Sequence, residues 1–172
     1  DDIAPLAAAE CAAVVLPGAE LMSAERTPPA RELADAGAIC ALATDCNPGT
    51  SPIVSLPLIV GLAVRRYGWT ALEALLACTL NAAWVLDMSS ELGSLEVGKR
   101  ADVAVVRLDR LHTTPITDVV SALVYSAEQD DVETVIIDGN LVMRERRLLT
   151  INEQAVINDA DLQRKNLATD LR

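Results

Sequence analysis

Two short runs built only from apolar residues, Ala12–Leu16 and Ala38–Ala43, constrain this chain more than any other feature. A strand with one wet face alternates polar and apolar side chains. A strand without alternation is buried on both faces, as in a parallel sheet with helices packed outside it. Pro17-Gly18 closes the first run. Pro28 and Pro29 then open a helix that reaches Ala36 and stops at Gly37, since proline suits a first helical turn and glycine the position past the last. Strand, helix and strand at this spacing form a βαβ unit. A short helix over residues 3–10 precedes it.

After the second run comes a polar loop, Thr44-Asp-Cys-Asn-Pro-Gly-Thr-Ser-Pro52. Residues 53–66 read as a helix, and Thr70-x-x-Glu73 is a capping box that opens another, continuing to Leu86. Beyond Ser89 the texture changes. Ala101–Val106 and Val132–Ile137 are β-rich, and Asp138-Gly139-Asn140 turns into Leu141–Arg144 as a hairpin. Asn152–Arg172 is polar and helix-prone. The expected organisation is an α/β portion over residues 1–90, a β-rich segment over 91–150 and a helical tail over 151–172.

Composition excludes several classes. With 14 Lys and Arg against 25 Asp and Glu, the net charge is −11, whereas a binder of the nucleic-acid backbone needs clustered cations. The longest apolar stretch, Ile53–Val64, is interrupted by Ser55, Pro57 and Gly61 and is too short to cross a bilayer. No secretory signal opens the chain, and position 1 is Asp rather than Met, so the natural start of translation is expected upstream. The 4 cysteines (Cys11, Cys40, Cys46, Cys78) form no C-x-x-C, which fits reduced thiols and a cytoplasmic location. With no Phe, the core must be built from Ala, Leu, Val and Ile.

Chemistry concentrates in the 44–52 loop, just past the carboxyl end of a parallel strand, where α/β proteins build active sites. Asp45 offers a carboxylate, Asn47 a donor and an acceptor, and Gly49 and Thr50 backbone N–H groups and a hydroxyl. Pro48 and Pro52 stiffen the segment. The residues alone leave two readings open: a functional loop, or an Asx-turn in which Asp45 or Asn47 caps local backbone.

Ala13-Val-Val-Leu-Pro-Gly18, Thr27-Pro-Pro29 and Ala41-Leu-Ala-Thr-Asp-Cys-Asn-Pro-Gly-Thr-Ser-Pro52 together resemble the imidazolonepropionases. These are metal-dependent amidohydrolases of histidine breakdown. Asn81-Ala-Ala83 and Leu92-Gly-Ser-Leu-Glu-Val-Gly-Lys-Arg-Ala-Asp-Val-Ala-Val-Val106 are similar to the wider amidohydrolase superfamily, where the chain leaves a barrel and re-enters a β-sandwich. Past about residue 113 the likeness shifts. Ser121-Ala-Leu-Val-Tyr125, Val132-Glu-Thr-Val-Ile-Ile-Asp-Gly139 and Leu148-Leu-Thr150 resemble the adenosylhomocysteine and chlorohydrolase-type deaminases instead.

The resemblance implies an α/β fold: strands seven and eight of a (β/α)8 TIM-type barrel, with part of a small β-sandwich domain. It implies hydrolysis of a cyclic-amide C–N bond, 4-imidazolone-5-propanoate to N-formimino-glutamate. Asp45 takes the place of the strand-eight aspartate that binds one divalent metal, zinc or iron, and accepts a proton from the attacking water. Asn47 and Gly49 match contacts to the ring-opened product, and Thr50 a contact to the imidazolone. A bound metal can bring the pKa of water to about 7, and a nearby carboxylate completes its deprotonation. The deaminase-like tail implies the alternative, hydrolytic deamination of a purine or related heterocycle.

The family's remaining metal ligands are histidines, and this chain has 1, His112, placed after the β-rich segment begins and read as a surface or linker residue. Nor can 172 residues hold an eight-stranded barrel of about 250. The expectation is therefore a C-terminal piece whose N-terminal half, in the same or a second chain, completes the site; complete units are expected to form a homodimer. A non-catalytic, partner-binding subunit is the reading from another class, because a half barrel leaves open edges and apolar faces. Elsewhere, Arg144–Arg147 reads as a solvated strand end, and Arg65-Arg66 as the solvent face of a helix. Trp69 and Trp84 read as packing anchors, Asp87 and Glu91 as solvated, and Asp102 as a residue that orients backbone.

Overall fold

The computed structural model describes residues 2–23 and 26–170. Helix α1 (Ile3–Ala8) leads into strand β1 (Ala12–Val15), then α2 (Pro17–Ser23), α3 (Ala30–Asp35) and strand β2 (Ile39–Leu42). β1 and β2 pair in parallel, from Ala12 opposite Ile39 to Val15 opposite Leu42. The unbroken apolar runs thus make the βαβ unit their pattern predicts. β2 is buried at Cys40, Ala41 and Leu42, whereas β1 leaves Val14 half exposed. Pro17 does more than close a strand. It begins α2, where a proline's missing N–H costs a first turn nothing.

Helices α4 (Leu56–Tyr67), α5 (Ala71–Ala77) and α6 (Leu80–Val85) follow. The single helix expected from Thr70 to Leu86 is two, broken at Cys78-Thr79. There the Thr79 hydroxyl donates back to the Leu75 carbonyl at 2.7 Å, a bond that competes with helix continuation. Ser55 caps α4, so Ile53 and Val54 lie outside the helix. The core joins Val15, Cys40 and Leu42 of the sheet to Ala30 and Leu33, to Ile59, Val60 and Ala63 of α4, and to Ala74 and Ala77 of α5. Buried alanines, Ala30, Ala63, Ala74 and Ala77, supply much of a core that has no Phe. Tyr67 and Trp69 meet edge to face at 5.3 Å, and the buried Trp69 Nε1–H donates to the Ala30 carbonyl at 3.1 Å. Trp84 is partly exposed.

The second sheet is antiparallel, in the order β3 (Val103–Val106), β4 (Val132–Ile137), β5 (Asn140–Arg144) and β6 (Arg147–Leu148). Between β3 and β4 lie α7 (Val119–Tyr125), absent from the sequence reading and capped by Asp118, and a 3₁₀ turn, Gln129–Asp131. Asp138 and Gly139, at φ 50° and 75°, make the two-residue turn joining β4 to β5. Asp102 orients backbone as expected, its carboxylate accepting the Asp138 N–H at 2.6 Å. The Arg144–Arg147 strand end is exposed as expected, and of the two arginines of α4 only one faces solvent. Within that strand end Arg146 also donates its guanidinium to the Gln129 and Val132 carbonyls at 2.9 and 3.2 Å. Arg66 turns inward to Thr27 Oγ1 at 3.0 Å and Glu20, while Arg65 stays exposed. Glu91 pairs with Arg100 at 2.6 Å. The last described element is α8 (Glu153–Asp170), exposed over residues 153–168. No helix among the described residues is long and apolar enough to cross a membrane.

Candidate active site

β2 delivers the chain at Leu42 directly into the 44–52 loop, so the loop stands at the carboxyl end of a parallel strand. Asp45 is half-buried there and adopts φ 51°, in the left-handed region that Asp tolerates better than most residues. Both peptides flanking it are tied. The carbonyl of Thr44, one residue before, accepts from the Ser51 hydroxyl at 2.7 Å. Asp45's own carbonyl accepts from Asn47 Nδ2 at 2.6 Å.

Asn47 is the hub of the loop. Its Oδ1 accepts from the N–H groups of Gly49 and Thr50, each at 2.8 Å, and its Nδ2 also reaches Thr50 Oγ1 at 3.0 Å. Thr50 Oγ1 in turn lies 3.4 Å from Asp45 Oδ2. The Asn47 N–H donates to the Ser51 carbonyl at 2.9 Å, closing the loop as an antiparallel bridge. The structure therefore brings Asp45, Asn47, Gly49 and Thr50 together. It also carries an Asx-turn within the same nine residues, with Asn47 capping local backbone as the second of the two readings expects. Ser51, fully buried, joins the set, although as one small polar residue in a polar loop it has no sequence signal of its own.

Asp45 does not fit a metal ion by itself. Among the described residues no three His, Cys, Asp or Glu side chains come together, whereas a catalytic zinc takes three protein ligands. His112 is engaged elsewhere, its Nε2 lying 2.8 Å from the buried Asp131 carboxylate. Burial pushes that carboxyl up, but the Glu128 N–H and the His112 ring outweigh it and hold Asp131 below the usual range. Concavity is a poor guide to the chemistry here. Grooves of about 510 and 590 Å³, the first between α4 and α7 and the second beside His112, include no residue of the 44–52 loop.

A parallel β/α layer ending in an acid-bearing loop, followed by an antiparallel sheet, is the C-terminal portion of a (β/α)8 barrel with part of a β-sandwich. An adenosine deaminase from Xanthomonas campestris, solved with bound zinc, matches this arrangement with a TM-score of 0.79 and 29% identity, over 91% of this chain and 37% of that one. Residues 2–142 match the amidohydrolase family, and the chain belongs to it. Over 104 residues it is 50% identical to the imidazolonepropionase of Deinococcus radiodurans, covering 60% of this chain and 26% of that protein. It is also 41% identical over 97 residues to the 5-methylthioadenosine/S-adenosylhomocysteine deaminase of Thermoanaerobacter pseudethanolicus, covering 56% of this chain and 22% of that protein. The chain spans less than a third of the length of the curated relatives it matches.

Proposed function

We propose that this chain is the C-terminal part of a metal-dependent hydrolase that opens a cyclic amide of the imidazolone type, taking 4-imidazolone-5-propanoate to N-formimino-glutamate. The observation that carries the reading is Asp45, held at the end of β2 with both flanking peptides hydrogen-bonded. A carboxylate there accepts a proton from water as the water oxygen adds to the ring carbonyl carbon. It returns the proton to the ring nitrogen as the C–N bond breaks, so protons balance over the step. Asn47 and Gly49 are the proposed contacts to the ring-opened product, and Thr50 to the imidazolone. The N–H groups of Gly49 and Thr50 point at Asn47 Oδ1, so binding exchanges bonds within the loop for bonds to the ligand. Zinc or iron in the complete enzyme requires ligands from outside these residues, because one carboxylate is too few. The same reading takes the complete protein as a cytoplasmic homodimer, divided near residue 90 into barrel and β-sandwich parts.

Likeness to the Thermoanaerobacter pseudethanolicus deaminase supports a second reading, hydrolytic deamination of a purine or related heterocycle. The two separate in one assay of the complete protein. Ring opening of imidazolonepropanoate is followed by loss of its ultraviolet absorbance, and deamination of adenosine-type substrates by released ammonia. A kcat/KM at least 100-fold higher for the imidazolone is the expected result. The reverse ranking selects the deaminase, and no turnover of either removes both.

A further inference from the structure

Ser51 is placed by the fold to act on Asp45. Its side chain is fully buried, an uncommon state for a serine in a surface loop. Its hydroxyl donates to the carbonyl of Thr44 at 2.7 Å across seven residues. That carbonyl belongs to the peptide whose other end is the Asp45 nitrogen, so its orientation fixes φ of Asp45 and with it the direction of the Asp45 Cα–Cβ bond. Asp45 sits at φ 51°, in the left-handed region, which costs a non-glycine residue torsional energy even where, as for aspartate, it is tolerated better than by most. The restraint comes from both sides: Ser51 Oγ on the preceding peptide and Asn47 Nδ2 on the following one. The Ser51 carbonyl closes the same loop by accepting the Asn47 N–H at 2.9 Å.

Room for this hydroxyl is left by a neighbouring glycine. A Cβ on Gly18, in the first turn of α2, would stand 3.1 Å from Ser51 Oγ and 2.8 Å from Ile59 Cδ1. Ile59 is itself fully buried, so the serine is backed by packed atoms rather than water. A hydroxyl clamped in this way cannot swing off its acceptor without opening the core.

We propose that Ser51 is a positioning residue of the hydrolytic site, holding the Asp45 carboxylate in its productive direction through the Thr44–Asp45 peptide. The proposal rests on the hydrolase reading above. A displacement of about 1 Å at a reacting group can cost roughly 100-fold in rate, so the effect belongs in kcat rather than in substrate binding.

The test is made in the complete enzyme with Ser51→Ala and Ser51→Thr, the second keeping the hydroxyl. Expected is a fall in kcat of about 10- to 100-fold for Ser51→Ala with KM within about twofold, and recovery by Ser51→Thr to within about fivefold of the parent. A parental kcat in Ser51→Ala overturns the proposal, as does a loss that tracks only the unfolded fraction in a melting curve. A crystal structure of Ser51→Ala supplies a reading independent of turnover. Asp45 leaving the left-handed region supports the proposal, and Asp45 keeping its φ and side-chain direction overturns it. If the parent enzyme turns over no heterocycle, the hydrolase reading fails, and the crystal structure still decides whether Ser51 sets the Asp45 geometry.

Discussion

Gly93 lies where the chain leaving α6 folds back onto that helix, at φ 87°. A Cβ there would stand 2.8 Å from Ala83 Cβ, 2.9 Å from Leu80 Cα and 3.1 Å from the Thr79 carbonyl oxygen. Two of those three atoms are backbone and cannot rotate away. Gly98, five residues on in the same G-S-L-E-V-G-K-R-A-D string, has φ 97° and open space where its Cβ would fall. The pair separates two costs. Gly98→Ala carries only the torsional penalty of a left-handed residue, about 1–3 kcal/mol. Gly93→Ala carries that and a forced displacement of α6, a further 1–3 kcal/mol or so. At roughly 2–4 °C per kcal/mol for a chain of this size, Gly93→Ala should melt about 2–12 °C below Gly98→Ala. The assay is thermal unfolding by circular dichroism of the parent and both variants at one pH and concentration. Equal losses in the two variants would refute the close-packing account, because the torsion alone would then explain both.

Asp45→Asn should lower turnover in the complete enzyme by at least about 1000-fold while leaving the melting temperature nearly unchanged, since asparagine also tolerates the left-handed region; full turnover in this variant rejects Asp45 as the proton acceptor. Hydrogen bonds from Arg31, with those from Thr70, hold the Glu73 carboxyl down at about 2. A depressed carboxylate stabilises the fold above its unfolded pKa and loses that contribution as pH falls through its folded one. The stabilisation should therefore be complete above about pH 4.5 and disappear towards pH 2. Because Glu73 is partly exposed, its worth after solvent screening is about 1 kcal/mol. Urea midpoints of the parent and Glu73→Gln should converge over that window, and parallel curves would remove the pair from the stability of the chain. Elemental analysis of this chain alone, purified from cells, should find well below one zinc or iron per chain, because Asp45 has no second ligand among the described residues. A stoichiometric ion would mean the donor set has been misread.

What could be read from the sequence was local. The unbroken apolar runs of β1 and β2 needed only the rule that buried parallel strands do not alternate. The capping box at Thr70 is visible because both of its bonds span three residues, Thr70 Oγ1 to the Glu73 N–H at 3.2 Å and the Thr70 N–H to Glu73 Oε2 at 2.7 Å. Asn47 is legible for the same reason, its partners being two and three residues away. Helix ends were harder. The break at Thr79 comes from a hydroxyl bonding back to Leu75, and hydrophobic periodicity runs straight through it. α7 begins at an Asp118 cap with no acidic residue at the third helical position to announce it.

Side chains that change role through a distant backbone or ion partner left no trace in the sequence. Glu73 caps α5 and also takes Arg31 of α3 in a two-pronged pair at 2.9 and 3.0 Å, 42 residues away, and nothing within the capping box predicts the second role. Arg146 reads as one cation of a basic cluster until the hairpin returns it beside the 3₁₀ turn, where the Gln129 and Val132 carbonyls take its guanidinium. Ser51 belongs to the same group. A serine beside proline in a polar loop looks solvated, and only the packing of α2 and α4 behind it removes the water and leaves the Thr44 carbonyl as its acceptor. The chemical type of the acid could be read from the loop, whereas the direction in which that acid points is set by tertiary packing. A substitution at Ser51 or Gly18 should therefore disturb the site without touching any residue that the loop motif marks as chemical.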